Sequence, residues 1–316
     1  MCATCGCDTD GKTTMLNLQT GTVTAIAGGD LHEPHSHKHD PHEHVQADGT
    51  RRSHPHDHAH SHGHDGQTHG HEHSHDDLGK GRGHTHDHMH GPPGEVHTIE
   101  KRILAKNDAI AGKTRAWLSG REILAVNLVS APGSGKTTLL ERTIPGLAND
   151  VPLFVIEGDQ ASANDGERIR GAGAPVVQIN TGTGCHLDAE MVTRGLSELK
   201  PAAGSIVFIE NVGNLVCPAL FDLGERAKVV IFSVTEGEDK PLKYPHMFRA
   251  ASAVIISKID LVPHLDFSLE KALGNIRLVN PEATVLKISA RTGEGLQTWH
   301  DWLRNEAAVV HESVSL

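Results

Sequence analysis

The chain has 316 residues and a formal charge of −11 with histidine neutral, which argues against nucleic acid as a partner, although its 26 histidines soften that figure by titrating near neutral pH. No apolar run is long enough to span a bilayer and the N-terminus carries no apolar signal core; the expected location, the cytoplasm, comes from cysteines read as reduced in a chain with a nucleotide loop. Five cysteines, three of them crowded at the N-terminus, read as reduced thiolate ligands and not as a disulfide framework.

Three thiols within six residues, Cys2, Cys5 and Cys7, can wrap one soft or borderline metal, and Gly6 permits the tight turn. The terminal amine as fourth donor would suit square-planar Ni(II); a redox pair is the competing reading. Asp8 to Asp30 reads as a short hairpin or as nothing regular. From His32 to His90 the chain is low-complexity and holds 20 of the histidines. Its apolar content is too low for a core, so the expectation is a disordered tract that stores several ions, or a solvated linker. Gly91-Pro92-Pro93-Gly94 closes it. His97 to about Ser119 then reads as a packing helix, with Ile99, Ile103, Leu104, Ile110 and Trp117 on one face and Gly120 as a stop. Domain boundaries are expected at 1–31, 32–96 and 97–316.

Ile123–Val129 reads as a buried strand that runs into Gly133-Ser134-Gly135-Lys136-Thr137-Thr138 and a helix. Strand, glycine loop and helix cradle phosphate, because backbone N–H groups and the helix N-terminus face the anion. Lys136 would reach the β and γ phosphates and Thr137 would ligate Mg²⁺; these two carry the catalytic expectation. Ser130 stands where this motif usually opens with glycine. Pro152–Ile156 is a second strand. Asp159 beyond it is placed to hold Mg²⁺, and Asp165 reads as a carboxylate in a helix's first turn.

Pro175–Ile179 is a third strand. It leads to Cys185 and His186, then to a helix. Ile206–Ile209 is a fourth, followed by Glu210, by Gly213 at the spacing of a γ-phosphate sensor, and by Cys217. Cys185, His186 and Cys217 leave one edge of the sheet, one donor short of a closed tetrahedral site. Lys228–Val234 and Ala253–Ile256 follow. The second ends in Ser257-Lys258-Ile259-Asp260, where Asp260 would accept the N–H donors of guanine and Lys258 would lie along the base. Thr284–Ile288 leads to Ser289 and Ala290, a second loop on the guanine side. A last helix, about Gly295–Val310, carries Leu296, Trp299 and Leu303 as core.

These segments together resemble the hydrogenase nickel-incorporation GTPases, the HypB family: CATCGC, the histidine tract, SAPGSGKTT, IEGDQ, NTGTGCHLDAEM, IENVGNLVCP, SVTEGEDKPLKYPHMF, SKID and SARTGEG. The Cys-Pro-His metal motif of the related urease-maturation GTPases is absent. The resemblance implies an α/β P-loop NTPase fold of the SIMIBI type, with a mainly parallel sheet and helices on both faces. It implies slow GTP hydrolysis with GTP/GDP, Mg²⁺, Ni²⁺ and Zn²⁺ as cofactors, and a homodimer that forms in response to nucleotide. The partners it implies are a nickel chaperone of the HypA family and the large subunit of [NiFe]-hydrogenase. Cys2, Cys5 and Cys7 match a tight nickel site, and Cys185, His186 and Cys217 a nickel or zinc site in the GTPase domain. Rival readings are a storage and detoxification protein, or a GTPase serving another nickel enzyme such as urease.

Overall fold

The computed structural model describes residues 13–26, 42–45, 51–54, 93–159 and 164–314. Cys2, Cys5 and Cys7, most of the histidine tract and Gln160 lie outside them. The chain divides into two units, Gly29–Glu95 and the combination of Met1–Gly28 with Val96–Leu316. In chain order the first strands are β1 (Thr14–Asn17), β2 (Val23–Ala25), β3 (His42–Val45) and β4 (Arg51–His54). β3 and β4 belong to the smaller unit. They pair antiparallel, from His42 opposite His54 to Val45 opposite Arg51, so part of the tract expected to lack structure forms a ladder.

The larger unit continues with α1 (Pro93–Ser119), β5 (Leu124–Ser130), α2 (Lys136–Leu147), β6 (Leu153–Asp159), α3 (Asn164–Gly171), β7 (Val176–Asn180) and α4 (Ala189–Leu199). Then come β8 (Ile206–Glu210), α5 (Cys217–Leu220), β9 (Ala227–Ser233), α6 (Lys240–Lys243) and α7 (Pro245–Arg249). The last elements are β10 (Ala253–Ser257), α8 (Leu269–Val279), β11 (Thr284–Ile288) and α9 (Leu296–Val314).

One nine-stranded sheet runs β11-β10-β9-β5-β8-β6-β7-β1-β2. All pairs from β11 to β7 are parallel; β1 adds antiparallel to β7 and β2 antiparallel to β1. The segment read as hairpin or nothing is therefore a hairpin, and it extends the sheet at the β7 edge. Side chains alternate across each strand. On β5, Leu124, Val126 and Leu128 join a core with Leu140 and Ile144 of α2, Ile169 of α3 and Trp299 of α9. Ala125 faces the other side, towards Leu118 of α1 and Val192 of α4. Farther along that side, Val129 meets Met247 and Phe248 of α7 and Ile276 of α8. Helices on both faces, as expected, bury a parallel sheet whose strands are mostly apolar.

Two expectations change in detail. β6 extends through Glu157 to Asp159, beyond the expected end at Ile156. On α1 the buried stripe is Asn107, Ala111, Thr114 and Leu118, while Trp117 is 42% exposed, with the Arg121 guanidinium 5.1 Å from its ring centre. The polar members of that stripe are anchored. Asn107 donates to Asp222 O at 2.7 Å and accepts from Ala189 N at 2.9 Å, and Thr114 Oγ1 meets Thr193 Oγ1 at 2.8 Å. Those bonds fix the rotation of α1 and turn Trp117 outward.

Trp299 is fully buried, as expected, and its Nε1 donates to Thr143 Oγ1 of α2 at 2.9 Å. Trp299→Ala is expected to cost roughly 3–5 kcal/mol in urea unfolding, from lost contacts and the cavity left behind.

Candidate nucleotide site and thiolate cluster

The order of strands reverses about β5, with β9 on one side and β8 on the other. In a parallel sheet the crevice beyond the carboxyl ends at such a point is where ligands settle. The loop Ala131–Gly135 emerges there, and α2 begins at Lys136. Gly133 and Gly135 have φ of 74° and 99°, the left-handed region that only glycine enters without strain. Lys136 Nζ donates to Ser130 Oγ at 3.0 Å, so the serine at the motif's first position holds the lysine over the loop. Thr137 Oγ1 donates to Glu210 Oε1 at 2.7 Å.

Glu210 and Glu157 stand side by side on β8 and β6, in register and 3% and 2% exposed. Burial pushes the Glu210 carboxyl up to about 7, against the pull of Lys136 and Thr137. Burial first, then the charges of Glu210 and Asp159, push Glu157 up to about 9. One oxygen of each, Oε2, has no hydrogen-bond partner. Two desolvated carboxylates with orphaned oxygens beside a phosphate loop suit a hard divalent cation such as Mg²⁺. Asp159 ends β6 two residues beyond Glu157, opposite Asn180 of β7. Asp165 occupies the first turn of α3 and pairs with Arg168 at 2.9 Å, in keeping with its reading as a helix carboxylate.

The folded chain binds more protons at Glu157 than the unfolded chain does between about pH 4.5 and about pH 9. Its stability without nucleotide or Mg²⁺ therefore falls as pH rises through that window. Glu157→Gln removes this titration, so urea unfolding between about pH 6 and about pH 9 is expected to show a flatter profile for the variant than for the parent chain.

The guanine-side residues converge on the same loop. A cavity of about 250 Å³ is bounded by Ser134, Gly135 and Thr138 on one side and by Lys258, Asp260 and Ala290 on the other. Lys258 has φ of 59° and its Nζ donates to Gly133 O at 2.7 Å. Ser257 Oγ donates to Ser134 O at 2.8 Å, a use for serine where asparagine is commoner. Ser289 is buried; its N–H donates to Glu294 O and its Oγ accepts from Thr292 N, which closes the loop that carries Ala290. Glu236 accepts from Ser134 Oγ at 2.6 Å and from Ser233 N at 3.0 Å, a support for the loop that motif reading missed.

On the α1 and α4 side, Cys185, His186 and Cys217 come together, with candidate ligand atoms all within 4.8 Å of one another. The two Sγ atoms are 3.0 Å apart and Cys185 Sγ lies 3.5 Å from His186 Nδ1. Burial lowers the His186 imidazole to about 4, which keeps it in the neutral form a metal needs. Its ring packs on Phe221, centroids 4.0 Å apart. Gly213, expected at the γ-phosphate, lies against the phosphate loop: a Cβ there would stand 3.1–3.2 Å from three atoms of Pro132.

A phosphate loop at the switch point with a base-sized cavity beside it defines a P-loop nucleotide-binding domain, and the Cys185, His186 and Cys217 cluster near it offers donors that suit a transition metal. The model of the CobW/HypB/UreG nucleotide-binding domain matches residues 124–287. The hydrogenase maturation factor HypB of Rhizobium leguminosarum bv. viciae is 56% identical over 210 residues, 66% of this chain and 70% of that protein. Among solved structures, the HypB of Archaeoglobus fulgidus is 41% identical at a TM-score of 0.61, covering 64% of this chain and 99% of that one. HypB of Helicobacter pylori in complex with nickel is 36% identical at 0.60, covering 64% and 95%. The chain belongs to the HypB family of hydrogenase maturation factors. No helix among the described residues is long and apolar enough to cross a membrane.

Proposed function

We propose that this chain is a GTP-hydrolysing nickel metallochaperone of the cytoplasm that supports nickel insertion into the large subunit of [NiFe]-hydrogenase. The observation that carries the reading is the continuity of one segment. From Glu210, bonded to Thr137, it passes Gly213 against Pro132 and ends at Cys217 in the metal cluster. Gly133, Ser134, Gly135, Lys136, Thr137 and Thr138 hold the phosphates; Lys258, Asp260, Ser289 and Ala290 hold the base. Glu210, Thr137 and Asp159, with Glu157, hold Mg²⁺, which would neutralise phosphate charge when bound. Lys136 steadies charge that develops on the transferred phosphoryl group. Gly213, resting on Pro132, senses whether the γ-phosphate is present and shifts Cys217 accordingly. Cys185, His186 and Cys217 carry nickel or zinc as cargo, Cys2, Cys5 and Cys7 a second ion, and the histidine tract a reserve. A HypA-family chaperone and a second copy of the chain are the partners that this cycle requires.

The test is complementation. In a host without its own maturation factor and at limiting nickel, the intact chain is expected to restore hydrogenase activity. A chain with Cys185→Ala and Cys217→Ala is expected to fail. Equal rescue by both would overturn the proposal.

A further inference from the structure

The two arms of the metal cluster leave different strand ends, and one buried amide bridges them. Asn211, 1% exposed, is the first residue after β8. Its Oδ1 accepts from Leu187 N at 3.1 Å and from Val212 N at 3.0 Å. Leu187 directly follows Cys185 and His186, and Val212 directly precedes Gly213. The Asn211 Nδ2 donates to Asn127 Oδ1 at 3.3 Å, and Asn127 lies on β5, three positions before Ser130.

The network continues to the second arm. Asn127 Nδ2 donates to Glu225 Oε1 at 3.1 Å, and Glu225 pairs with Lys228 at 3.5 Å. Lys228 Nζ donates to Pro218 O at 2.9 Å and to Phe221 O at 3.3 Å. Pro218 adjoins Cys217, and Phe221 carries the ring packed on His186. The arm is also held on either side, by Thr181 Oγ1 donating to Gly184 O at 2.7 Å and by Ala189 N donating to Asn107 Oδ1 at 2.9 Å, while Leu187 itself is fully buried and occupies the space that a Cβ at Gly158 would need.

Amides in a buried parallel sheet are costly unless every donor and acceptor is used. Leucine at 211 would leave Leu187 N without its acceptor. A satisfied network of this kind holds one geometry and passes displacement of one member to the next.

We infer that Asn211 is a positioning residue that makes the Cys185–His186 arm follow the Gly213–Cys217 segment, so that both arms of the cluster change together with nucleotide state. This rests on the proposed reading of a nucleotide-governed metal site. With the bridge, a shift at Gly213 re-forms the whole cluster. Without it, the Cys185–His186 arm is freer to adapt to Cys217 in either position, and the difference in metal affinity between nucleotide states collapses.

The experiment uses the full chain with Cys2→Ser, Cys5→Ser and Cys7→Ser, titrated with Ni²⁺ and followed by thiolate-to-nickel charge-transfer absorption. Histidines give no such band, so the tract is silent and only Cys185 and Cys217 report. The parent is expected to differ about fivefold or more in nickel affinity between GDP and a non-hydrolysable GTP analogue. Asn211→Ala is expected to keep the band and nucleotide binding but to bring that ratio close to one. A second measurement needs no variant: amide exchange at Leu187 is expected to change between the two nucleotides. A parent ratio of one would remove the underlying reading and this inference with it. A responsive parent with an equally responsive Asn211→Ala, or a Leu187 amide indifferent to nucleotide, would overturn the role of Asn211 and leave the reading standing.

Discussion

Replacing Lys136 with alanine is expected to lower the rate of GTP hydrolysis by about two to three orders of magnitude, the usual effect of losing one preorganised charge-stabilising group. The side chain is poised for that role. Its ammonium is held by Ser130 Oγ and faces the buried Glu210 and Glu157 carboxyls. Removing it leaves those carboxyls without the cation that favours their charged forms, so they hold their protons to still higher pH. A smaller secondary effect is therefore expected on Mg²⁺, which must compete with those protons. Single-turnover hydrolysis at several pH values measures both. A variant within a factor of two of the parent would show that Lys136 takes no part in the reaction.

Cys217→Ala is expected to weaken nickel binding by more than about 100-fold in a chain that lacks Cys2, Cys5 and Cys7. Loss of a partner outside the coordination sphere already costs about 10–100-fold in metal sites, and loss of a direct ligand should exceed that. Only one imidazole and one thiolate remain, too few to hold a tetrahedral ion against water. Cys217 is 1% exposed, so alanine leaves a small void and little else. Folding should survive, and the cost should appear in metal affinity with nucleotide affinity unchanged. Nickel titration followed by thiolate-to-nickel charge-transfer absorption, to which the histidine tract is silent, checks this with nucleotide binding measured alongside; an unchanged nickel constant would remove Cys217 from the site.

Much of this was legible because the relevant chemistry is local in sequence. The phosphate loop announces itself through glycines that need positive φ, next to a lysine and two threonines. The cluster was found through Cys185 beside His186 and a third thiol placed after the switch glycine. Features made by distant pairings were not legible. The sequence favours Asp159 over Glu157; a carboxylate inside an otherwise apolar strand is the signal for Glu157, but its neighbour Glu210, which helps push its carboxyl up, comes from β8, well down the chain. Trp117 was read as core from its spacing, yet α1 is turned by the hydrogen bonds of Asn107 and Thr114 to residues far along the chain. The pairing of β1 with β7 joins residues more than 150 apart in sequence, which no local pattern encodes. Asn127 and Asn211 looked like ordinary residues at the middle and end of strands. Their role comes from meeting each other.

The most direct test of the account is the nickel affinity of the full chain bearing Cys2→Ser, Cys5→Ser and Cys7→Ser, read from its thiolate-to-nickel charge-transfer absorption with GDP and with a non-hydrolysable GTP analogue under identical Mg²⁺. The account predicts two dissociation constants that differ by about fivefold or more. A single constant for both nucleotides would mean that the phosphate loop and the thiolate cluster are independent, and would contradict it.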